Sequence, residues 1–278
     1  MGRSKRLRQP KTGGPQKARV HSATLGLRPP KAIAVLVVAS LLAAALVCGL
    51  LFRGSFSSGS PAGPKTAAIV DQLSLTQPNP SFAEAATATL EQAGYAVDYY
   101  PGEEITVDFY KNLPTHGYGL IIMRVHSGLA RDYGRPTNYV SLFSNEPFSD
   151  TKYAPEKAAG LVGRASYYEG GAQYFGIVPA FIESSMTGSF DGATIVLMGC
   201  YGPITDLTAQ AFVRKGAKAV VGWSERVSAK HTDAATERLL QHMLIEGHTT
   251  RDAVNLTMAE VGPDPDYGST LDVYPSKG

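Results

Sequence analysis

Cysteine is almost missing from this 278-residue chain, which has two, Cys48 and Cys200. Only Cys200 lies in the long carboxyl-terminal part, so that part can close no disulfide of its own. A lone thiol there is either a buried, inert group or one kept for its chemistry. Acidic residues are absent before Gly54, which excludes an ordinary mixed-charge surface for the first segment. Neither a G-x-G-x-x-G run nor a phosphate-binding loop occurs, so nucleotide use has no support. His231, His242 and His248 lack the i, i+4 spacing of a helical zinc site and have no matching Cys or Glu ligands. No metal and no cofactor is implied. No internal repeat is present.

What is there, first of all, is one long apolar run. Ala32 to Phe52, AIAVLVVASLLAAALVCGLLF, holds 21 uncharged residues between Lys31 and Arg53. As a helix, at about 1.5 Å per residue, it reaches roughly 30 Å, the thickness of a bilayer's hydrocarbon core. Residues 1–31 are basic and rich in Gly, Pro, Ser and Gln. That composition cannot bury a core, and beside a span it predicts a cytoplasmic amino terminus. A cleaved signal peptide is the rival reading, but its apolar stretch is normally only about 7–15 residues. A lipoprotein box at Cys48 fits worse, because Val47 stands where a small residue is expected. Residues 53–64, with GSFSSGSPAGP, form a flexible tether. Residues 65–278 are then expected outside the cytoplasm, held at the cell membrane by one pass through lipid at 32–52. Ten of the 26 Lys and Arg precede Gly54 and all 24 Asp and Glu follow it, leaving the outer part at about −8. A charge of that sign invites no nucleic acid.

Along the outer part, apolar runs alternate with helical patterns, the sign of an α/β domain with a mostly parallel sheet and helices on both faces. Strands are predicted at Thr66–Val70, Tyr95–Tyr99, Tyr118–Val125, Ala193–Met198 and Ala217–Gly222. Helices are predicted at Asn79–Ala93, Val107–Leu113, Thr205–Lys215, Asp233–Glu246 and Thr250–Val261. The stretch from Gly134 to Gly188 lacks a clear period and reads as hairpins and loops, with a helix near Val178–Ser184.

Open α/β sheets collect ligands beyond the carboxyl ends of their strands. His126 follows the third strand in RVHSG and Cys200 follows the fourth in LMGCYG. An imidazole and a thiol brought to one sheet edge can act on one carbonyl, the sulfur attacking and the ring protonating the leaving amine. Gly128, Gly199 and Gly202 allow close backbone approach. The N–H of Cys200 with that of Ser127 or Gly128 is a candidate oxyanion hole. Taken singly, a cysteine at a strand end is more often a small buried hydrophobe, and a histidine there a structural hydrogen-bonder. Their shared placement makes the catalytic reading worth pursuing. MGCYG is one residue short of the G-x-C-x-G elbow of glutamine amidotransferases.

On these motifs the outer part resembles the caspase-like cysteine peptidases, the group of caspases, gingipains, clostripain, separases and CHAT domains. The resemblance runs from about Thr66 to Val261. It implies a catalytic His after strand three and a catalytic Cys after strand four, hence His126 and Cys200, and a peptide or protein substrate. Most members place Gly directly after the His, whereas here Ser127 intervenes. An inactive relative that binds peptides or partner proteins is therefore the alternative. Several members carry an acidic residue after the first strand that selects Lys or Arg; Asp71 holds the comparable place. Glu225 is the alternative acidic wall, and Trp223 beside it either meets substrate or fills core.

Overall fold

The computed structural model describes residues 65–132, 135–202 and 206–275. The apolar run 32–52, its basic flank and the tether lie outside the described residues. Among the described residues, no helix is long and apolar enough to cross a membrane.

Strand β1, Lys65–Asp71, is sealed from water over its last five residues. It lies inside a sheet packed on both faces, which explains a run of apolar residues without alternation. Asn79 then caps helix α1, Pro80–Gln92, its side chain accepting from the Phe82 N–H at 3.2 Å. Pro80 opens the helix, where a missing N–H costs nothing. Strand β2, Tyr95–Pro101, and helix α2, Val107–Asn112, follow, the latter capped by Thr106. Strand β3 is Leu120–Arg124, buried throughout.

The stretch expected to be hairpins and loops forms a second sheet. Strands β4 (Ser127–Asp132), β5 (Arg135–Pro147), β6 (Val162–Ser166) and β7 (Gln173–Ile177) pair antiparallel in the order β4-β5-β7-β6. Between them lies the short helix α3, Ala154–Ala158, and after them α4, Pro179–Ser184. The chain then returns to the main sheet as β8, Thr194–Leu197, crosses by α5, Asp206–Arg214, and enters β9, Ala219–Trp223. Helix α6, Ala229–Leu240, begins four residues before the expected Asp233 and runs into a π-turn at Gln241–Ile245. Helix α7 spans Thr250–Val261, as the sequence predicts, and β10, Leu271–Tyr274, closes the domain.

The main sheet runs β10-β9-β8-β3-β1-β2, parallel except for β10. The domain is therefore mixed α/β with a mostly parallel sheet and helices. Alternate residues feed two cores. Ala68, Val70, Ile121, Met123 and Leu197 pack toward α2, α4, α5 and the second sheet. Ala67, Ile69, Ile122, Val196 and Val221 pack toward α1, α6 and α7. This two-sided burial leaves the strand ends as the edge at which loops can build a site.

Candidate active site

Strands β3 and β8 are neighbours, with Met123 opposite Leu197. His126 and Cys200 each stand three residues beyond that pair, so the register carries both to the same edge. Both line one cleft of about 650 Å3, together with Ser127, Tyr167, Arg226 and Tyr267.

The histidine turn is tightly held. Its N–H donates to Gln72 Oε1 at 2.8 Å, and its carbonyl accepts from the Phe143 N–H at 3.0 Å. The ring stands edge-on to Phe143 and Tyr167, each with its centroid 4.9 Å away. This half-buried aromatic setting disfavours the imidazolium, and the Arg226 charge adds to the effect, so the His126 pKa lies below the ordinary histidine value.

Ser127, the departure from the familiar His-Gly pattern, has a definite place. It is buried, and its hydroxyl donates to the Cys200 carbonyl at 2.8 Å, tying the two turns together. Gly199 makes room for it. A Cβ there would sit 2.6 Å from the Val125 carbonyl and would collide with the Ser127 hydroxyl. The bond between Phe143 N–H and the His126 carbonyl also sets the phase of the β4–β5 ladder. Hydrogen-bonded pairs alternate in such a ladder, so Gly128 and Ser141 form the next exchanging pair and the Ser127 N–H lies outside it. Of the two candidate oxyanion donors on this strand, Ser127 is the one with a free direction.

At the cysteine turn, Tyr201 adopts φ 61°, a left-handed conformation unusual for a bulky residue. Its N–H donates to the Glu225 carbonyl at 2.8 Å, which clamps the turn in that shape. The thiol is half-buried and points to the Val227 carbonyl at 3.8 Å. Burial pushes the Cys200 pKa up, against the opposing effects of the Val227 bond and Arg226; Asp264 pushes in the same direction as burial. Thiol and imidazole are thus both favoured in their neutral forms.

The residues expected to select substrate are placed otherwise. Asp71 does not line the cleft: it is 1% exposed, pairs with Arg124 at 2.9 Å and accepts from the Tyr99 hydroxyl at 3.0 Å. Register explains this, since Asp71 lies opposite Arg124 on the adjacent strand. Trp223 is buried, its indole N–H donating to Thr232 Oγ1 at 2.8 Å, so it fills core. Glu225 is exposed and outside the cleft lining. The charged side chain that does line it beside the histidine is Arg226, stacked over the Tyr267 ring at 4.5 Å, and the sequence reading did not single it out. A loop position with no period gives no signal of that kind. The reading of the histidines also needs correction. His231 binds the Gly262 carbonyl, but His242 and His248 do share a carboxylate, Glu246, contrary to the expectation that no Cys or Glu matches them.

No protein-family model matches the chain, and no curated protein matches it in sequence. Among solved structures it is similar to the Arg-specific cysteine proteinase gingipain R, at 12% identity and TM-score 0.41, over 70% of this chain and 42% of that one. The complex of the pro- and mature domains of RgpB from Porphyromonas gingivalis is similar at 13% identity and TM-score 0.44, over 75% and 46%. Protein GSU0716 from Geobacter sulfurreducens is similar at 12% identity and TM-score 0.40, over 76% and 93%. The chain spans less than half the length of the two proteinase structures. Likeness at this level assigns no chemistry, which rests on the cleft itself.

Proposed function

We propose that residues 65–278 form a caspase-like cysteine endopeptidase, with Cys200 as nucleophile and His126 as general acid and base. One observation carries this reading: a thiol and an imidazole stand at register-matched ends of adjacent parallel strands and line one cleft. Because both groups are favoured neutral, the ring takes the thiol proton as the sulfur attacks the carbonyl, then returns it to the leaving amine. The amides of Ser127 and Cys200 are the candidate donors to the oxyanion. Water then releases the acyl group. The dyad needs no metal or cofactor.

Cleavage after a basic residue would need a carboxylate in the cleft. Among the described residues the lining of this cleft supplies Arg226 and no Asp or Glu, so the proposal carries no preference for a basic residue. We also propose that residues 32–52 anchor the domain to the cell membrane with residues 1–31 in the cytoplasm, on the hydropathy and charge asymmetry alone.

The test is labelling and turnover in the full chain carrying Cys48→Ser. A peptide bearing a thiol-directed electrophile should label it, and Cys200→Ala should abolish both labelling and hydrolysis. His126→Ala should keep slow alkylation and lose turnover. Hydrolysis that survives Cys200→Ala refutes the assignment. The second reading, a peptide-binding domain without turnover, is favoured by the thiol's engagement with the Val227 carbonyl and its raised pKa. Binding of peptides without acyl-enzyme formation would select it.

A further inference from the structure

At the end of α6 remote from the cleft, the chain makes an abrupt return. The Glu246 N–H reaches back five residues to the Gln241 carbonyl at 3.0 Å, closing the π-turn. Such wide turns within helices concentrate at functional positions. Gly247 then takes φ +76°, a left-handed step that glycine makes without strain. The His248 N–H is thereby brought to the His242 carbonyl at 3.0 Å. This fold-back sets three ligand-bearing side chains side by side.

Glu246 Oε2 lies 2.9 Å from His242 Nδ1 and 3.4 Å from His248 Nε2. One ligand atom from each of the three residues falls within 4.8 Å of the others. Tetrahedral bonds of about 2.0–2.1 Å separate ligand atoms by roughly 3.3 Å, so the two closer spacings already approach those of a coordinated cation. The side chains of Glu246 and His248 are 43% and 40% exposed, which leaves a route in from solvent.

The second observation is independent of this clustering. His242 is 2% exposed, and its Nε2 is buried without any hydrogen-bond partner. In the neutral ring with its proton on Nδ1 and given to Glu246, Nε2 is a buried acceptor that faces another acceptor, the Glu260 carboxylate, an arrangement that costs stability. A cation on Nδ1 requires the other tautomer. The proton then sits on Nε2 and faces Glu260 Oε1, 3.5 Å away. Glu260 is itself held by Arg238, whose Nε donates to its other oxygen at 2.7 Å. A carboxylate behind the far nitrogen of a ligating histidine is the usual outer support of such sites.

We propose that His242 Nδ1, Glu246 and His248 Nε2 bind a divalent transition-metal cation of the zinc class. Imidazole and carboxylate together suit that class better than calcium or magnesium, which take oxygen ligands. The cation would fasten the end of α6 to the start of α7. The domain has no disulfide to do this, since its described residues hold one free cysteine.

The test uses the full chain freed of metal with a chelator. Zinc is titrated in competition with a chromophoric chelator, and cobalt is followed by its visible absorption. One equivalent should bind with a rise in unfolding temperature, and His248→Ala and Glu246→Gln, both at exposed positions, should each weaken it about tenfold or more. A wild-type chain that binds neither cation, with unchanged unfolding temperature, would show that the cluster is only an ion pair and would overturn the proposal. Binding that survives both substitutions but disappears in Cys200→Ala would place the cation in the cleft and overturn it equally.

Discussion

Removing Asp233 should weaken the domain far more than neutralising Asp71, the other carboxylate that meets the same buried arginine. Arg124 ends β3, two residues before His126, and is 1% exposed. Its guanidinium donates to Asp233 through Nε at 2.7 Å and Nη2 at 2.9 Å, to Asp71 through Nη1 at 2.9 Å, and to the Gln77 carbonyl at 2.8 Å. Asp233→Ala deletes the two-pronged contact and leaves the Nε–H without a partner in a buried setting. Breaking such a pair from one side costs about 3–5 kcal/mol. At roughly 2–4 °C per kcal/mol for a domain of this size, the unfolding temperature should fall by about 6–20 °C. Asp71→Asn should cost less, about 1–2 kcal/mol. Its amide oxygen still accepts from Nη1, its amide N–H can be received by the Tyr99 hydroxyl, and one carboxylate remains to balance one guanidinium. Trp223 is the sole tryptophan, is buried, and bonds to Thr232 next to Asp233. Its fluorescence therefore reports unfolding of this region in the full chain. An Asp233→Ala loss below about 1 kcal/mol, or a larger loss in Asp71→Asn, would refute the account. So would a change in peptide selectivity in Asp71→Asn with no change in stability, which would return Asp71 to the role of a pocket wall.

Gly199→Ala should destabilise by about 1–3 kcal/mol, because its Cβ would press on the Val125 carbonyl and Ser127 hydroxyl; denaturant unfolding checks this, and a neutral result would show that the turn is looser than described. Alkylation of Cys200 in a Cys48→Ser chain should be slower at neutral pH than that of a free thiol, since burial raises the Cys200 pKa, and should rise with a midpoint above the ordinary thiol value. Arg226→Gln should move that midpoint further up, because a cation that favours the thiolate is gone; a downward move would contradict the electrostatics. Protease added to intact cells should remove the domain beyond Arg53, and Lys in place of Val38 and Leu42 should impair insertion, at about 2.5–3.5 kcal/mol per central charge; a protected domain would reverse the proposed topology.

What could be read from the sequence follows from burial. Strands β1, β3, β8 and β9 are enclosed on both faces, so each appears as a short apolar run. Helix α7 carries its own start signal, Thr249, whose hydroxyl accepts from the Asp252 N–H at 3.2 Å. The second sheet left no such trace: Val162–Ser166, VGRAS, buries only Val162 and Ala165, a spacing that matches neither period of two nor a continuous run. The early start of α6 depends on a distant residue, as Ser228 donates through both N–H and hydroxyl to Asp264. His126 and Cys200 stand out in the sequence because the end of an apolar run is a local feature, whereas the pairing that sets Met123 opposite Leu197 is long-range and belongs to the fold. Asp71 does end β1, but the register sets it opposite Arg124, two residues before the histidine, and the buried pair that results is a contact between strands far apart in sequence. Arg226 and Asp264 reach the cleft region on loops whose course only the tertiary structure defines.

The electrostatics of the pair constrain how the proposed reaction begins. Burial acts on both members against charge, lowering the basicity of the ring and the acidity of the thiol. Arg226 divides its influence: it favours the thiolate, yet it disfavours the imidazolium that would accompany it. A preformed ion pair therefore gains little from this residue, because what it gives to sulfur it takes from the ring. Both shifts favour thiol and imidazole in the free site, where the sulfur is directed at the Val227 carbonyl. Attack requires that contact to break, so a peptide entering the cleft must supply the reorientation from its own binding. Transition-state charge then develops on the carbonyl oxygen rather than on sulfur, where backbone donors can meet it. The proposed reaction would therefore depend on bound substrate more than on an activated resting thiol, and small alkylating agents should underreport the reactivity that a well-fitting peptide electrophile reveals.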